Sequence, residues 1–173
     1  SISASSPSVC LGSTGTLTAS GATSYTWQPG NLSGQTVTIS PTAQTDYTVT
    51  GDNGACSNTA TISVGIHTLP VISAAISPTV VCEGLPVNLT ASGGINYTWS
   101  PIAVSGASVT DNPTVSLTYT VTGDDANGCE NTAMVSVSVN PNPTIVAVAS
   151  PTGMCEGSLV TATLSVSGAN TYT

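Results

Sequence analysis

Cys10-Leu11-Gly12, Cys82-Glu83-Gly84 and Cys155-Glu156-Gly157 begin 72 and 73 residues apart, and the residues after each of them stay in register. Leu17-Thr18-Ala19-Ser20-Gly21 matches Leu89-Thr90-Ala91-Ser92-Gly93, and Tyr25-Thr26-Trp27 matches Tyr97-Thr98-Trp99. Tyr47-Thr48-Val49-Thr50-Gly51-Asp52 matches Tyr119-Thr120-Val121-Thr122-Gly123-Asp124, and Cys56 matches Cys129. One module is therefore written twice and begun a third time, and a fold that ignores this period is wrong from the start. The expected divisions are 1–69, 70–141, and 142–173 as the opening part of a third copy. That copy reaches Tyr172-Thr173, where its Trp-bearing strand is due, so its remaining strands are expected from a longer chain or from a partner. Leu69-Pro70-Val71 and Asn140-Pro141-Asn142-Pro143 join the copies. Proline fixes the backbone and removes amide donors there, giving short, stiff linkers and an expected rod.

Inside a module, β-branched apolar residues alternate with hydroxyl residues, as in Thr36-Val37-Thr38-Ile39-Ser40, Thr61-Ile62-Ser63-Val64 and Val135-Ser136-Val137-Ser138-Val139. Successive side chains of a strand point to opposite faces, so this is the pattern of a half-buried strand, and no 3.6-residue stripe competes with it. Asn53-Gly54 and Asn127-Gly128 fall between two such runs and predict type I′ hairpin turns, in which both central residues take positive φ. About seven strands of 5 to 8 residues per module read as an all-β fold of antiparallel β-sandwiches.

The chain has no Lys or Arg, eight acidic residues and one His, for a formal net charge of -8. Nucleic acid and anionic membrane surfaces both need cations to bind, so neither is an expected partner. Only 5% of residues are charged and mean hydropathy is +0.28, the reverse of the disordered signature. About a third of the chain is Ser or Thr, so solubility falls to hydroxyl groups. The longest apolar stretches, such as Val71 to Ile76 and Ile145 to Ala149, fall far short of the roughly 18 residues of a bilayer span.

Each complete module carries one cysteine near its start and one beside the Asn-Gly turn. The spacing reads as disulfides Cys10–Cys56 and Cys82–Cys129, each closing a loop worth on the order of 4 kcal/mol and placing the chain in an oxidising, extracytoplasmic compartment. Topology raises an objection. In an ordinary immunoglobulin arrangement the two cysteines of one module sit at opposite ends of the sandwich, roughly 20 Å apart. Either the first strand is arranged differently, or each early cysteine bridges the late cysteine of the next module, pairing Cys10 with Cys129. Cys155 has no assigned partner. A metal reading fails, because there is no CxxC pair and only His67 could join the thiols.

Tyr25, Trp27 and Tyr47, with Tyr97, Trp99 and Tyr119, read as core anchors; the competing use of the Trp pair is an exposed platform for stacking on sugar rings. Tyr47 stands nine residues before Cys56, so no tyrosine corner of the antibody kind is implied. Asp52-Asn53-Gly54 and Asp124-Asp125-Ala126-Asn127-Gly128 offer only two or three oxygens each, fewer than Ca²⁺ takes, and read as solvated turns. His67 lies in the first linker beside no acid or nucleophile, and no Ser has a His or Lys in a shared motif, so no nucleophilic triad is expected. The expectation is a non-enzyme with no cofactor and no metal.

The set Cys10-Leu11-Gly12, Tyr25-Thr26-Trp27-Gln28-Pro29-Gly30, Tyr47 through Gly51, Asn53 through Cys56 and Val137-Ser138-Val139-Asn140-Pro141 resembles the Ig-like and PKD-like repeats of large secreted Bacteroidota surface proteins. Such repeats are similar to the stalks of type IX-secreted adhesins, including SprB-like gliding-motility adhesins. The resemblance implies tandem Ig-like modules forming an extracellular cell-surface stalk or filament. Its partners would be neighbouring repeats, cell-surface or secretion-machinery proteins, or polysaccharide. The alternative it leaves open is a carbohydrate-binding accessory module of a secreted polysaccharide-degrading protein.

Overall fold

In the computed structural model, which describes residues 1–4, 7–150, 153, 156 and 163–169, every regular element is a strand, as the period-two alternation requires. The first eight are β1 (Ile2–Ala4), β2 (Ser8–Cys10), β3 (Gly15–Ala19), β4 (Ser24–Gln28), β5 (Leu32–Ser33), β6 (Thr36–Ile39), β7 (Thr45–Asp52) and β8 (Ser57–His67). They form two sheets, β1-β3-β6 and β2-β8-β7-β4-β5, in which β2 runs parallel to β8 and the other pairs are antiparallel. Leu17, Val37 and Ile39 of the first sheet and Trp27, Val49 and Val64 of the second meet in one buried cluster. The alternation is visible in β3 and β6, where Leu17, Ala19, Val37 and Ile39 are buried and the residues between them are not.

The next eight strands repeat this order: β9 (Ser73–Ser77), β10 (Val80–Cys82), β11 (Val87–Ser92), β12 (Asn96–Ser100), β13 (Val104–Ser105), β14 (Ser108–Asp111), β15 (Leu117–Asp124) and β16 (Glu130–Asn140). Their sheets are β9-β11-β14 and β10-β16-β15-β12-β13, with β10 parallel to β16. A second buried cluster lies between them, with Leu89 and Val109 facing Trp99, Tyr119 and Val137. The chain is a tandem of Ig-like β-sandwiches. After it, β17 (Val146–Ser150) pairs with β18 (Thr163–Ser167), setting Ala149 opposite Leu164 as Ile76 stands opposite Leu89. Leu164 is 80% exposed where Leu89 is fully buried. Cys155 lies outside the described residues, as does Tyr172.

Two local expectations are corrected. Each module has eight strands, because the opening strand is split and its second half changes sheets. In the second module Pro78, which has no amide to give a ladder, stands between β9 and β10 at the change. The Asn-Gly turns are not type I′. Gly54 and Gly128 have positive φ, but the only non-glycine residues with positive φ among those described are Asn31 and Ala103. The Asp ahead of each turn does the bending: Asp52 Oδ1 accepts from the Gly54 amide, and Asp125 Oδ1 accepts from the Asn127 amide at 2.8 Å. Longer loops result, closed by the Asn53 amide on the Cys56 carbonyl and the Asp125 amide on the Cys129 carbonyl, both at 3.1 Å. Among the described residues no helix is long and apolar enough to cross a membrane.

Candidate functional site at the module junction

The parallel pairing of β2 with β8 decides where the cysteines go. Cys10 is the register partner of His67, the last residue of the eleven-residue β8, whereas Cys56 immediately precedes its first residue. At about 3.3 Å per residue this separates Cys10 from Cys56 by roughly 35 Å, against the 7 Å or so between Cα atoms that a disulfide tolerates. Cys82, register partner of Asn140, is held equally far from Cys129 by β16. The pairs Cys10–Cys56 and Cys82–Cys129 therefore do not form. Cys10 is bonded instead to Cys129 of the next module, with Cα atoms 5.5 Å apart, and Cys56 and Cys82 are exposed free thiols. The inter-module alternative is the correct one.

The linker is seated as well as stapled. Pro70 accepts a hydrogen bond from Asn131 Nδ2 at 2.9 Å, and Ile72, only 8% exposed, joins the core of the second module. Gly93 and Gly123 make room for it. A Cβ on Gly93, whose φ is +95°, would stand 1.9 Å from the Val71 carbonyl oxygen, and one on Gly123 would stand 2.7 Å from Ile72 Cδ1. Tyr97 closes the side of the seat: its hydroxyl donates to the Gly94 carbonyl and accepts from the Gly94 amide, both at 2.7 Å. Cys129 is 1% exposed.

His67, which the sequence sets beside no acid or nucleophile, has company in the fold. Its Nε2 lies 2.7 Å from Ser8 Oγ, and its carbonyl accepts from the Leu11 amide at 2.9 Å. Asp125 of the second module faces the same junction. The Cys129 amide, 2.9 Å away, with the Asn127 amide and the nearby His67, holds its carboxyl below the ordinary 3.8, although partial desolvation acts the other way. Because Oδ1 is committed to two backbone amides, this carboxylate shapes the Cys129 loop; it is not hydrogen-bonded to orient the imidazole as the acid of a triad does. What the arrangement does chemically is hold the outgoing end of one module against the incoming end of the next.

The aromatic residues lie in the interior. Trp27 and Trp99 are fully buried, and their Nε1 groups donate to the Gly34 and Gly106 carbonyls at 2.9 and 3.0 Å, so neither forms an exposed stacking platform. Tyr47 is buried, which raises its pKa. Tyr119 is fully buried; desolvation first, then its 2.5 Å hydrogen bond to Asp111 Oδ2 and the charge of that carboxylate, push its pKa far up. Tyr25 is half-buried and latches onto Ala22 as Tyr97 latches onto Gly94. Among the described residues no three His, Cys, Asp or Glu side chains gather to hold a metal. The residues that sequence reasoning missed are Ile72, Gly93, Gly123 and Asn131. Their signal was recurrence, since Gly21, Gly51 and Asn58 occupy the corresponding places in the first copy and Ile145 takes that of Ile72 in the third.

No protein-family model and no curated protein matches the sequence. Among solved structures the chain is similar to the amphioxus IgVJ-C2 molecule, at TM-score 0.35 and 16% identity, covering 76% of this chain and 99% of that one. It is similar to murine CEACAM1b, at TM-score 0.37 and 14% identity, covering 82% and 98%. It is also similar to the three N-terminal domains of the bacteriophage RB49 highly immunogenic outer capsid protein, at 0.36 and 17%, covering 99% and 69%. At such low TM-scores and identities the likenesses carry no argument about function, and the fold assignment rests on the strand pairing itself.

Proposed function

We propose that the chain is part of the stalk of a secreted cell-surface adhesin of the Bacteroidota repeat type, with modules 1–69, 70–141 and one beginning at 142 set end to end so as to carry an adhesive region away from the cell. The observation behind this reading is the joint: Cys10–Cys129 on one side and the seated Ile72 on the other. Two attachments restrain bending between modules where a single flexible linker would permit it. A strut needs that stiffness, whereas a carbohydrate-binding module needs a free ligand face, and the aromatic residues best suited to one are buried. A disulfide that persists fits an extracellular setting. The lack of Lys and Arg, which denies trypsin-like proteases any cleavage site, fits it too. Type IX secretion and gliding motility are the setting that the repeat resemblance supplies.

The test is on cells. Antibodies raised against the chain should label intact producing cells along filaments projecting from the surface, and a glycan array should show no binding by the purified chain. Labelling that appears only after the cells are broken overturns the surface reading, and micromolar binding to a polysaccharide overturns the stalk in favour of the accessory module.

A further inference from the structure

The first module carries at its Cys56 end the same seat that the linker fills in the second. A cavity of about 260 Å³ lies there, lined by Gly21, Tyr25, Gly51, Cys56 and Asn58 among others. Those five correspond to Gly93, Tyr97, Gly123, Cys129 and Asn131. Where a Cβ on Gly93 would meet the Val71 carbonyl, one on Gly21, at φ +102°, would have among the described atoms only the Ser1 amine within 4 Å, at 3.9 Å. The approach recurs in the third copy, where a Cβ on Gly168 would stand 1.7 Å from the Thr144 carbonyl oxygen. Asn58 is posed as Asn131 is, each accepting through Oδ1 from the next residue's amide, at 2.8 and 2.9 Å. Cys56 is exposed where Cys129 is 1% exposed, and Tyr25 is half-buried where Tyr97 is 7% exposed.

We propose that this cavity is the seat for the exit segment of a preceding module of the same kind, that Cys56 closes a disulfide with that module's C-x-G cysteine, and that Cys82 likewise takes the Asn-Gly-turn cysteine of a following module. The inference rests on the tandem-module reading and adds its rule of assembly: each module is bolted to both neighbours and has no disulfide of its own. In forming the bond, the two thiols lose two protons and two electrons to a low-molecular-weight disulfide such as oxidised glutathione. One S–S bond forms, and the oxidant leaves as two thiols. The partner is defined by chemistry: a Pro-containing linker with a carbonyl for Asn58 and a branched aliphatic side chain to lie in the cavity beside Ala22, whose Cβ stands 2.9 Å from where one on Gly51 would be, on a module ending in a strand paired with a cysteine-bearing one.

The experiment extends the full chain at its N-terminus with a copy of residues 73–145, so that the copied Ile145 stands before Ser1 as Ile72 stands before Ser73. Cys129→Ser in the copy, with Cys82→Ser and Cys155→Ser in the original, leave one thiol of each kind to follow beside the Cys10–Cys129 bond. After oxidation with glutathione disulfide, peptides are mapped with chymotrypsin and pepsin, since trypsin has no site. The expected result is the copied Cys82 joined to Cys56, with Cys10–Cys129 retained and Cys56 no longer reactive to iodoacetamide. Cys56 reacting as it does in the parent chain overturns the proposal. A second measurement does not depend on the added module folding. With Cys10–Cys129 reduced, so that the modules unfold separately, Leu-Pro-Val-Ile placed before Ser1 of the parent chain should raise the melting temperature of the first module by about 5 °C, while Leu-Pro-Ser-Ser should not. Equal melting temperatures for the two tails overturn the seat. Neither failure would alter surface labelling of cells, so the stalk reading and the assembly rule can be refuted separately.

Discussion

Reducing Cys10–Cys129 should change how the two modules unfold together more than it changes how stable either is alone. The bond joins residues 119 apart, and in the chain-entropy model opening that whole loop costs about 5 kcal/mol of stability once both modules are unfolded. If the first module unfolds while the second stays folded, the free segment is only Cys10 to the seated linker, roughly 60 residues, and the bond still opposes unfolding by about 4 kcal/mol. The same holds for the second module between the linker and Cys129. The first unfolding event thus bears nearly all of the penalty and the second bears about 1 kcal/mol. The bond therefore couples the modules by about 3–4 kcal/mol, lowering the population of half-unfolded chains by a factor of several hundred.

Urea unfolding followed by tryptophan fluorescence, with and without a phosphine reductant, measures this. The oxidised chain should show one transition whose m-value is that of both modules, because m scales with the surface exposed. The reduced chain should show two transitions, at lower urea, each with about half that m-value. Two identical transitions in both forms, or a shift on reduction below about 1 kcal/mol, would refute the argument that the bond spans two cooperative units.

The seat and the cores give further expectations. Gly93→Ala should cost several kcal/mol more than Gly21→Ala, for which positive φ alone costs about 1–2 kcal/mol, because only Gly93 has a carbonyl 1.9 Å from the new methyl; comparable losses in chemical unfolding would contradict the seat. Trp99→Ala should destabilise the second module by about 3–5 kcal/mol, and a loss under 1 kcal/mol would remove it as a core anchor. Tyr119 has a raised pKa in the fold, so its contribution is complete below the ordinary 10.0 and is lost as pH rises above it. The second module should therefore weaken in alkali, and Tyr119→Phe should flatten that dependence when thermal unfolding is followed between pH 9 and 12. Asp125 has a lowered pKa, so its contribution is complete above the ordinary 3.8 and disappears as pH falls below it. Asp125→Ala should consequently weaken the chain at pH 7 and make no difference at pH 2, as read from urea midpoints.

The alternation of Thr, Val and Ile determined the strands, because the side-chain period of a strand is local and needs only its own residues to declare which face is buried. The recurrence of Trp27 at Trp99 and of Tyr47 at Tyr119 likewise marked the core, since large aromatic residues gain most from burial wherever the sheet turns inward. The turns were less legible. Asn53-Gly54 fits a type I′ turn taken alone, but the Asp52 carboxylate accepts the Gly54 amide and removes the need for positive φ at Asn53. The cysteine pairing depended wholly on tertiary structure. Nothing in the sequence says that β2 runs parallel to β8, yet that choice puts Cys10 at the far end of an eleven-residue strand from Cys56 and against the next module. The closeness of His67 to Ser8 follows from that same parallel pairing, the approach of Asp125 to His67 from the contact between modules, and the burial of Ile72 from the second module's core. Such contacts join residues tens of positions apart, and no local period carries them.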